Sequence, residues 1–135
     1  MSYPILDIEG IGPEVAARLK AVGIRTTAGL LEAAKSAKGR KRLAEQTGLE
    51  EKRLLKWANM ADLMRIRGVG QEYAELLEAA GVDTLKELKH RNAYNLCKAM
   101  KAVNDDRRLC RLLPAESAVG RWIAHAKSLP VVISY

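Results

Sequence analysis

Residues 8–31 and 66–89 of the sequence repeat each other, as IEGIGPEVAARLKAVGIRTTAGLL and IRGVGQEYAELLEAAGVDTLKELK. An offset of 58 residues aligns the glycines and most of the apolar positions of the two copies. Many of the charged positions differ between them. Self-similarity of this kind indicates an internal duplication.

A second pair of similar segments surrounds the two tryptophans. LLKWANMADLM around Trp57 resembles VGRWIAHAKSL around Trp122, but the offset is now 65, so the second copy carries seven additional residues. We place them in NDDRRLCRLLPAE, residues 104–116. Because seven residues are about two helical turns, a helix can lengthen there without rotating its apolar face.

Both copies contain the signals that begin and end short helices. Apolar residues recur at i, i+4 and i+7, as an amphipathic helix requires, in two sets: Val15, Leu19 and Val22, and Tyr73, Leu77 and Ala80. Pro13 suits a first helical position. Gly23 and Gly81 suit a left-handed C-cap. Thr26 and Thr84 suit the N-cap of the next helix, and Thr84 with Glu87 fits a capping box.

The rest of the chain predicts further helices. A third helix is expected over residues 39–47 with Gly48 ending it, and a fourth within residues 49–64. The tail LPVVISY packs on the body or, alternatively, forms a strand. The prediction is an all-α fold of two tandem repeats, residues 1–64 and 65–129, with about four short helices each and a C-terminal tail at 130–135.

The pattern I-x-G-h-G, where h is apolar, predicts a tight turn between two helices. At least one residue of such a turn takes a positive φ, which glycine adopts at little cost. The glycines also leave backbone N–H groups bare at the start of the next helix, at the positive end of its dipole. A phosphate fits such a place.

These stretches resemble known motifs. IEGIGPEVAARLKAVGI and IRGVGQEYAELLEAAGV resemble the helix-hairpin-helix motif, whose hairpin amides hold a nucleic-acid backbone phosphate without reading bases. GIRTTAGLL followed by LAEQTGLEEKRLLKWA resembles the helical amino-terminal domain of archaeal recombinases. The tandem, with Trp57 and Trp122 near the repeat ends, resembles a bacterial family known only as a domain of unknown function. The resemblance covers roughly residues 7–129.

Positive charge is concentrated after the first hairpin. The formal net charge is +7 and the pI about 9.6, which favours a polyanionic partner. The segment KSAKGRKR supplies five cations without an acid, namely Lys35, Lys38, Arg40, Lys41 and Arg42. We interpret this cluster as a nucleic-acid contact; the alternative is a solvated helix face.

The two hairpins differ in charge. Gly10, Ile11 and Gly12 form the first hairpin, and Asp7, Glu9 and Glu14 surround it. Because carboxylates repel phosphate, we expect this hairpin to be a structural joint. In the second hairpin, Arg65 and Arg67 precede Gly68, Val69 and Gly70. We expect this hairpin to contact phosphate.

Other classes of function find no support in the sequence. It contains no GxxxxGK[ST], GxSxG or HExxH motif, and the two cysteines and two histidines have no zinc-site spacing. We therefore expect no enzyme, metal or cofactor. No segment is apolar enough for a membrane span, and free thiols are typical of the cytoplasm.

The expected function is sequence-independent binding of nucleic acid, with duplex DNA favoured. Two alternatives remain. RLAEQTGLEEKRLLKW resembles a helix-turn-helix pair, whose second helix would enter the major groove of DNA. Glu50 and Glu51 at the start of that helix count against this alternative, because their carboxylates would enter the groove first. The other is a scaffold or adaptor for a partner protein, which Glu14 and Glu72, just after the hairpins, favour.

Overall fold

Eight α-helices and a short 3-10 helix, Ile5–Asp7, form the regular structure of residues 2–135, the part of the chain that the computed structural model describes. In chain order they are α1 (Pro13–Ala21), α2 (Thr27–Ala34), α3 (Ala37–Thr47), α4 (Glu51–Leu63), α5 (Gln71–Ala79), α6 (Leu85–Leu88), α7 (Ala93–Arg107) and α8 (Glu116–Ser128). Extended pairing over these residues is limited to an isolated bridge between Pro4 and Thr26. The prediction of an all-α fold is confirmed.

Helices α1 and α5 begin and end at the predicted glycines. Each has nine residues, follows an extended N-cap glycine and ends just before a glycine of positive φ. The terminal glycines are Gly23 (φ +87°) and Gly81 (φ +96°). The left-handed conformation that ends these helices therefore explains both glycines.

Threonine caps start the next helix of each copy, as predicted. Thr26 Oγ1 accepts the Gly29 N–H at 3.1 Å, and Thr84 Oγ1 accepts the Glu87 N–H at 3.0 Å. The Glu87 carboxylate accepts from Arg91 at 2.9 Å, and the Thr84 N–H, which would complete a capping box, does not donate to it. Ser36 caps α3, which consequently begins two residues before the predicted start and ends at Gly48 with φ +77°.

The seven extra residues of the second copy lie mostly in a loop, within the predicted segment, so the helix there lengthens by about one turn and not by the two that seven residues would allow. Helix α7 has 15 residues against 11 in α3, and residues 108–115 then lead to α8 without helix. Arg108 ends α7 in the left-handed conformation at φ +53°. The Asn104 side chain bonds both the N–H and the carbonyl of Cys110, which satisfies the loop backbone where the helix stops.

A single hydrophobic core runs through both halves of the chain. Leu63, Met64 and Ile66, at the junction between α4 and the second hairpin, are fully buried in it. The tail returns to the first half, where Ile133 is buried and the Ser134 N–H donates to the Lys35 carbonyl at 2.8 Å. The tail therefore packs on the body without forming a strand.

Candidate nucleic-acid interface

The second hairpin is a glycine turn packed against a tryptophan. Ile66 and Val69 are buried and anchor the turn, while Gly68 between them has φ +93°. A β-carbon on Gly68 would lie 3.1 Å from Trp122 Nε1. Both the dihedral angle and the close approach therefore require glycine at this position.

Helix α5 begins at this hairpin with unpaired backbone donors. Its N-cap is Gly70, which has no side chain to accept from the helix. Within residues 2–135, the N–H groups of Gly70, Gln71 and Glu72 donate to no backbone acceptor. The first turn of α5 therefore presents N–H groups, together with the positive end of the helix dipole, to solvent.

An open groove of about 900 Å³ lies beside the hairpin. Arg67 and Gly68 line it on the hairpin side, and Arg121, Trp122 and His125 line it from α8. Its remaining lining comes from Tyr73 on α5, from Ala118 on α8 and from the loop before α8, at Leu112, Leu113, Pro114 and Ala115. The groove thus combines cationic and apolar side chains.

Hydrogen bonds fix the sides of the groove. The Arg67 N–H donates to His125 Nδ1 at 3.2 Å, so in the neutral imidazole the proton resides on Nε2. The Tyr73 hydroxyl donates to the Leu112 carbonyl at 2.9 Å, and the Tyr73 ring lies 5.3 Å from that of Trp122. Burial raises the pKa of Tyr73, with Cys110 and Glu72 adding to it, which keeps the phenol a donor.

The two arginines of the groove carry free charge. The side chains of Arg67 and Arg121 belong to exposed residues, and neither forms an ion pair within the described chain. Glu72 is exposed as well, on the first turn of α5. Two guanidinium groups and one carboxylate leave a net positive charge around the second hairpin.

Arg65, the other arginine predicted for this site, is engaged internally. Its Nη1 lies 2.8 Å from Asp62 Oδ1 and 3.4 Å from the Pro130 carbonyl oxygen, and its side chain is 22% exposed. Burial raises the pKa of Asp62, and the ion pair with Arg65 opposes that rise. The charge of Arg65 therefore compensates a buried carboxylate, and Arg67 is the arginine directed to the groove.

The basic cluster of residues 35–42 separates into two groups. Arg40 is 5% exposed and donates to the carbonyls of Ala34 at 2.9 Å and Ser134 at 2.8 Å, so it holds the tail. Lys35 pairs with Glu32 at 3.0 Å. The remaining members are exposed on one face of α3 and form no ion pair within residues 2–135: Lys38, Lys41 and Arg42. These three are the accessible part of the cluster.

The first hairpin has the same turn but different surroundings. Ile11 is buried between Gly10 (φ +90°) and the N-cap Gly12, and a β-carbon on Gly10 would lie 3.1 Å from Trp57 Nε1. The guanidinium of Arg53 lies 4.7 Å from the centre of the Trp57 ring and covers it. Glu9 is exposed beside this turn.

Sequence reasoning missed Arg121, His125 and Leu112 as lining residues of the second site. The 65-residue offset that aligns the tryptophans would have placed Arg121 and His125 on the helix that faces the hairpin. No local signal identifies Leu112, because its position depends on the bond from Tyr73. The loop that contains it falls in the segment that has no counterpart in the first copy.

The described residues give no support for a metal site, a reactive thiol or a membrane span. No group of three or more histidine, cysteine or acidic side chains is placed to hold a metal ion among residues 2–135. Cys97 and Cys110 are free thiols, and burial raises the pKa of each. None of the helices described is long and apolar enough to cross a bilayer.

The comparisons with known proteins concern the family of the chain. No curated protein and no solved structure gives a significant match. A family model described as "Domain of unknown function (DUF4332)" matches residues 9–129, which is most of the chain. The protein therefore belongs to the DUF4332 family.

Proposed function

We propose that the protein binds nucleic acid through backbone phosphates, without sequence preference, and that the second hairpin is the principal contact. In this proposal residues 1–64 and 65–129 are tandem helix-hairpin-helix units, and residues 130–135 are a tail. Duplex DNA is the partner that the sequence favours, and the cytoplasm is the proposed location. The observation that carries the proposal is that Arg67 and Arg121, which form no ion pair within residues 2–135, line a groove beside the hairpin whose N–H groups at Gly70, Gln71 and Glu72 donate to no backbone acceptor.

The chemistry of this groove suits a phosphate. Backbone N–H groups at a helix start attract anions through hydrogen bonds and the helix dipole. Guanidinium groups add charge-assisted hydrogen bonds, which are about twice as strong as neutral ones. Neither Gly68, Val69 nor Gly70 has a side chain that reads a base, so contact here would be independent of sequence.

A second contact is proposed for the exposed face of α3. Lys38, Lys41 and Arg42 follow i, i+3 and i+4 spacing and project on one side of the helix. Lysine and arginine side chains without ionic partners contribute to phosphate binding by releasing counterions from the nucleic acid. We leave Arg40 and Arg65 out of the proposed interface because both are engaged inside the fold.

The first hairpin is proposed as a structural joint. Pro13 at the first position of α1 removes one of the N–H groups that the second hairpin offers through Gln71. Glu9 would also repel a phosphate. Both features lower the anion affinity of this turn without altering its backbone.

The alternative function is a scaffold or adaptor without nucleic-acid binding. Leu112 is 75% exposed in the groove, as expected of a contact for a protein partner. Glu14 and Glu72 stand at the start of the helices that follow the hairpins. The net charge of +7 favours the nucleic-acid proposal over this one.

The proposal is tested by fluorescence anisotropy on a short random-sequence duplex over a range of salt concentrations. We expect a dissociation constant of roughly 10⁻⁴ to 10⁻⁶ M at physiological salt. Arg67→Gln combined with Arg121→Gln should reduce the slope of log K against log salt by about 1.8, or about 0.9 for each lost phosphate contact.

A charge-matched control is Lys20→Gln with Arg25→Gln, at two exposed positions of the first repeat. This control should leave the slope nearly unchanged. Equal slopes for the two double variants would show that only net charge matters. If no complex forms even at low salt, the adaptor function replaces nucleic-acid binding.

A further inference from the structure

The groove beside the second hairpin has an apolar wall that a phosphate does not need. Leu112 is exposed there, and Leu113 and Pro114 are half-buried beside it. All three belong to the loop of residues 108–115, which is longer than the three-residue connection at 48–50 in the first repeat. The second repeat therefore adds apolar surface at the same place where it adds positive charge.

This wall is held in position before any ligand arrives. The Leu112 carbonyl accepts from the Tyr73 hydroxyl at 2.9 Å and from Cys110 Sγ at 3.6 Å. The base of the loop is closed by the two bonds between Asn104 and Cys110, at 2.9 and 3.1 Å. A preformed wall reduces the entropy lost when a ligand binds.

The groove lacks the arginine that lies over the tryptophan in the first repeat, and Trp122, which is 4% exposed, packs against Tyr73. In the first repeat Arg53 lies over Trp57, four residues further along α4. The position four residues before Trp122 on α8 is Ala118, which lines the groove. The groove next to Trp122 is thereby left unfilled by the chain itself.

A nucleotide combines the two chemistries that the groove offers. Its phosphate would meet Arg67 and Arg121, and its base would meet an apolar wall next to the aromatic rings of Tyr73 and Trp122. Bases inside a continuous duplex are stacked and paired, so they cannot reach such a wall. Bases of single strands and strand ends can be splayed onto protein side chains.

We propose that the groove between the second hairpin, the loop of residues 108–115 and α8 holds an unpaired nucleotide, and that the protein therefore prefers single-stranded or terminal segments to continuous duplex. This inference rests on the proposed function, since it assigns a class of nucleic acid to the same site. It revises the preference for duplex DNA drawn from the sequence. An acidic, apolar peptide is the competing ligand, and the test includes it.

The first test compares three competitors against a labelled single strand by anisotropy: an unlabelled single strand, a covalently closed circular duplex, and the same duplex linearised with single-stranded overhangs. We expect the single strand and the overhang to bind about tenfold more tightly than the closed duplex, as one base contact typically provides. Equal affinity for all three competitors would overturn the inference.

The second test refills the groove with the residue type that the first repeat uses. Ala118→Arg places a guanidinium next to Trp122, in the position that Arg53 has relative to Trp57, and it adds a positive charge. Simple electrostatics would strengthen binding, whereas occlusion of the groove should weaken single-strand binding about tenfold and remove the preference over closed duplex. Leu112→Ser, at an exposed position, should lower the preference without affecting folding.

Matched controls come from the first repeat. Arg53→Ala uncovers Trp57, and Leu6→Ser changes a leucine that is also exposed. Neither should change the preference for single strands. A preference that survives both Ala118→Arg and Leu112→Ser would show that the unpaired nucleotide binds elsewhere, and the inference would be wrong.

The outcomes separate this inference from the proposed function. If Arg67→Gln with Arg121→Gln weakens binding but all probes bind alike, phosphate binding stands and the nucleotide site fails. If no nucleic acid binds, both fail. Competition by polyglutamate as effective as by an oligonucleotide of equal charge would favour the peptide and overturn the assignment of a nucleotide.

Discussion

The first and second hairpins share a backbone and differ in almost every side chain around it. Gly10 and Gly68 have φ of +90° and +93°, and a β-carbon on either would lie 3.1 Å from the indole nitrogen of a tryptophan. At equivalent positions nearby, the first has Glu9 where the second has Arg67, and Met60 where the second has His125. The turn therefore serves the fold in both copies, and the surrounding side chains determine what the turn can bind.

Replacing the left-handed glycine should destabilise the fold equally at both hairpins. We expect Gly10→Ala and Gly68→Ala each to lower the free energy of unfolding by about 2–3 kcal/mol, since a left-handed non-glycine residue costs roughly 1–2 kcal/mol and the new β-carbon crowds the indole. Urea denaturation followed by circular dichroism measures both. A loss confined to one variant would show that the two turns are not structurally equivalent.

The next effect concerns equivalent positions before the two hairpins, Arg65 and Asp7. Arg65→Ala should lower the free energy of unfolding by about 2 kcal/mol, because it leaves the buried Asp62 carboxylate without its partner. Asp7→Ala should cost less than about 0.5 kcal/mol. Equal losses would contradict the internal role of Arg65.

The Arg65→Ala variant should also change the pH dependence of stability. Burial raises the folded-state pKa of Asp62 above the ordinary value of 3.8, so folding takes up a proton and stability falls as pH rises from 3.8 through the raised value. Without Arg65 that pKa rises further. The cost of the substitution should therefore be greater at neutral pH than near pH 4, and a pH-independent cost would be inconsistent with this pair.

A smaller effect tests the difference between the hairpins. Arg67→Glu should weaken nucleic-acid binding about tenfold, equivalent to about 1.4 kcal/mol, whereas Glu9→Arg should strengthen it by less than about threefold. The reason is that Pro13 has no N–H group to donate at the first hairpin. In addition, Arg53 lies over the tryptophan beside this hairpin, where the second copy has Ala118. Anisotropy at low salt measures both variants. Equal and opposite effects would mean that only local charge distinguishes the turns.

We expect the exposed face of α3 to contribute less to nucleic-acid binding than the second hairpin does. Lys38→Gln, Lys41→Gln and Arg42→Gln together should reduce the salt slope, by about 0.9 for each contact that forms, and should change stability by less than about 0.5 kcal/mol. An unchanged slope would assign these side chains to a solvated face. Arg40→Gln is the contrasting variant, which should destabilise the fold instead.

The fold was predictable because its signals are local. Gly23, Gly48 and Gly81 end helices through their own backbone conformation, and Thr26 and Thr84 cap through groups three residues away. The loop of residues 108–115 was less predictable. Arg108 takes a left-handed conformation that its residue type does not favour, and the bonds of Asn104 compensate it.

The candidate site was predictable only in part. The sequence shows which residues are charged, but not which of them are engaged by tertiary contacts inside the fold. Arg40 and Arg65 look like surface cations, yet tertiary contacts with Ser134 and Asp62 bring both inside. Conversely, Arg121 and His125 lie more than fifty residues from the hairpin in sequence, and only packing brings them to Arg67.

The tail has a consequence for how the two halves unfold. Arg40 and Ser134, separated by 94 residues, are joined at 2.8 Å, and Pro130 is joined to Arg65 across the same region. A half that opened alone would break these contacts and expose the buried junction at Leu63 and Ile66. We therefore expect the two halves to unfold as one cooperative unit, with the backbone amides of α2 and α8 exchanging their hydrogens through a shared global opening.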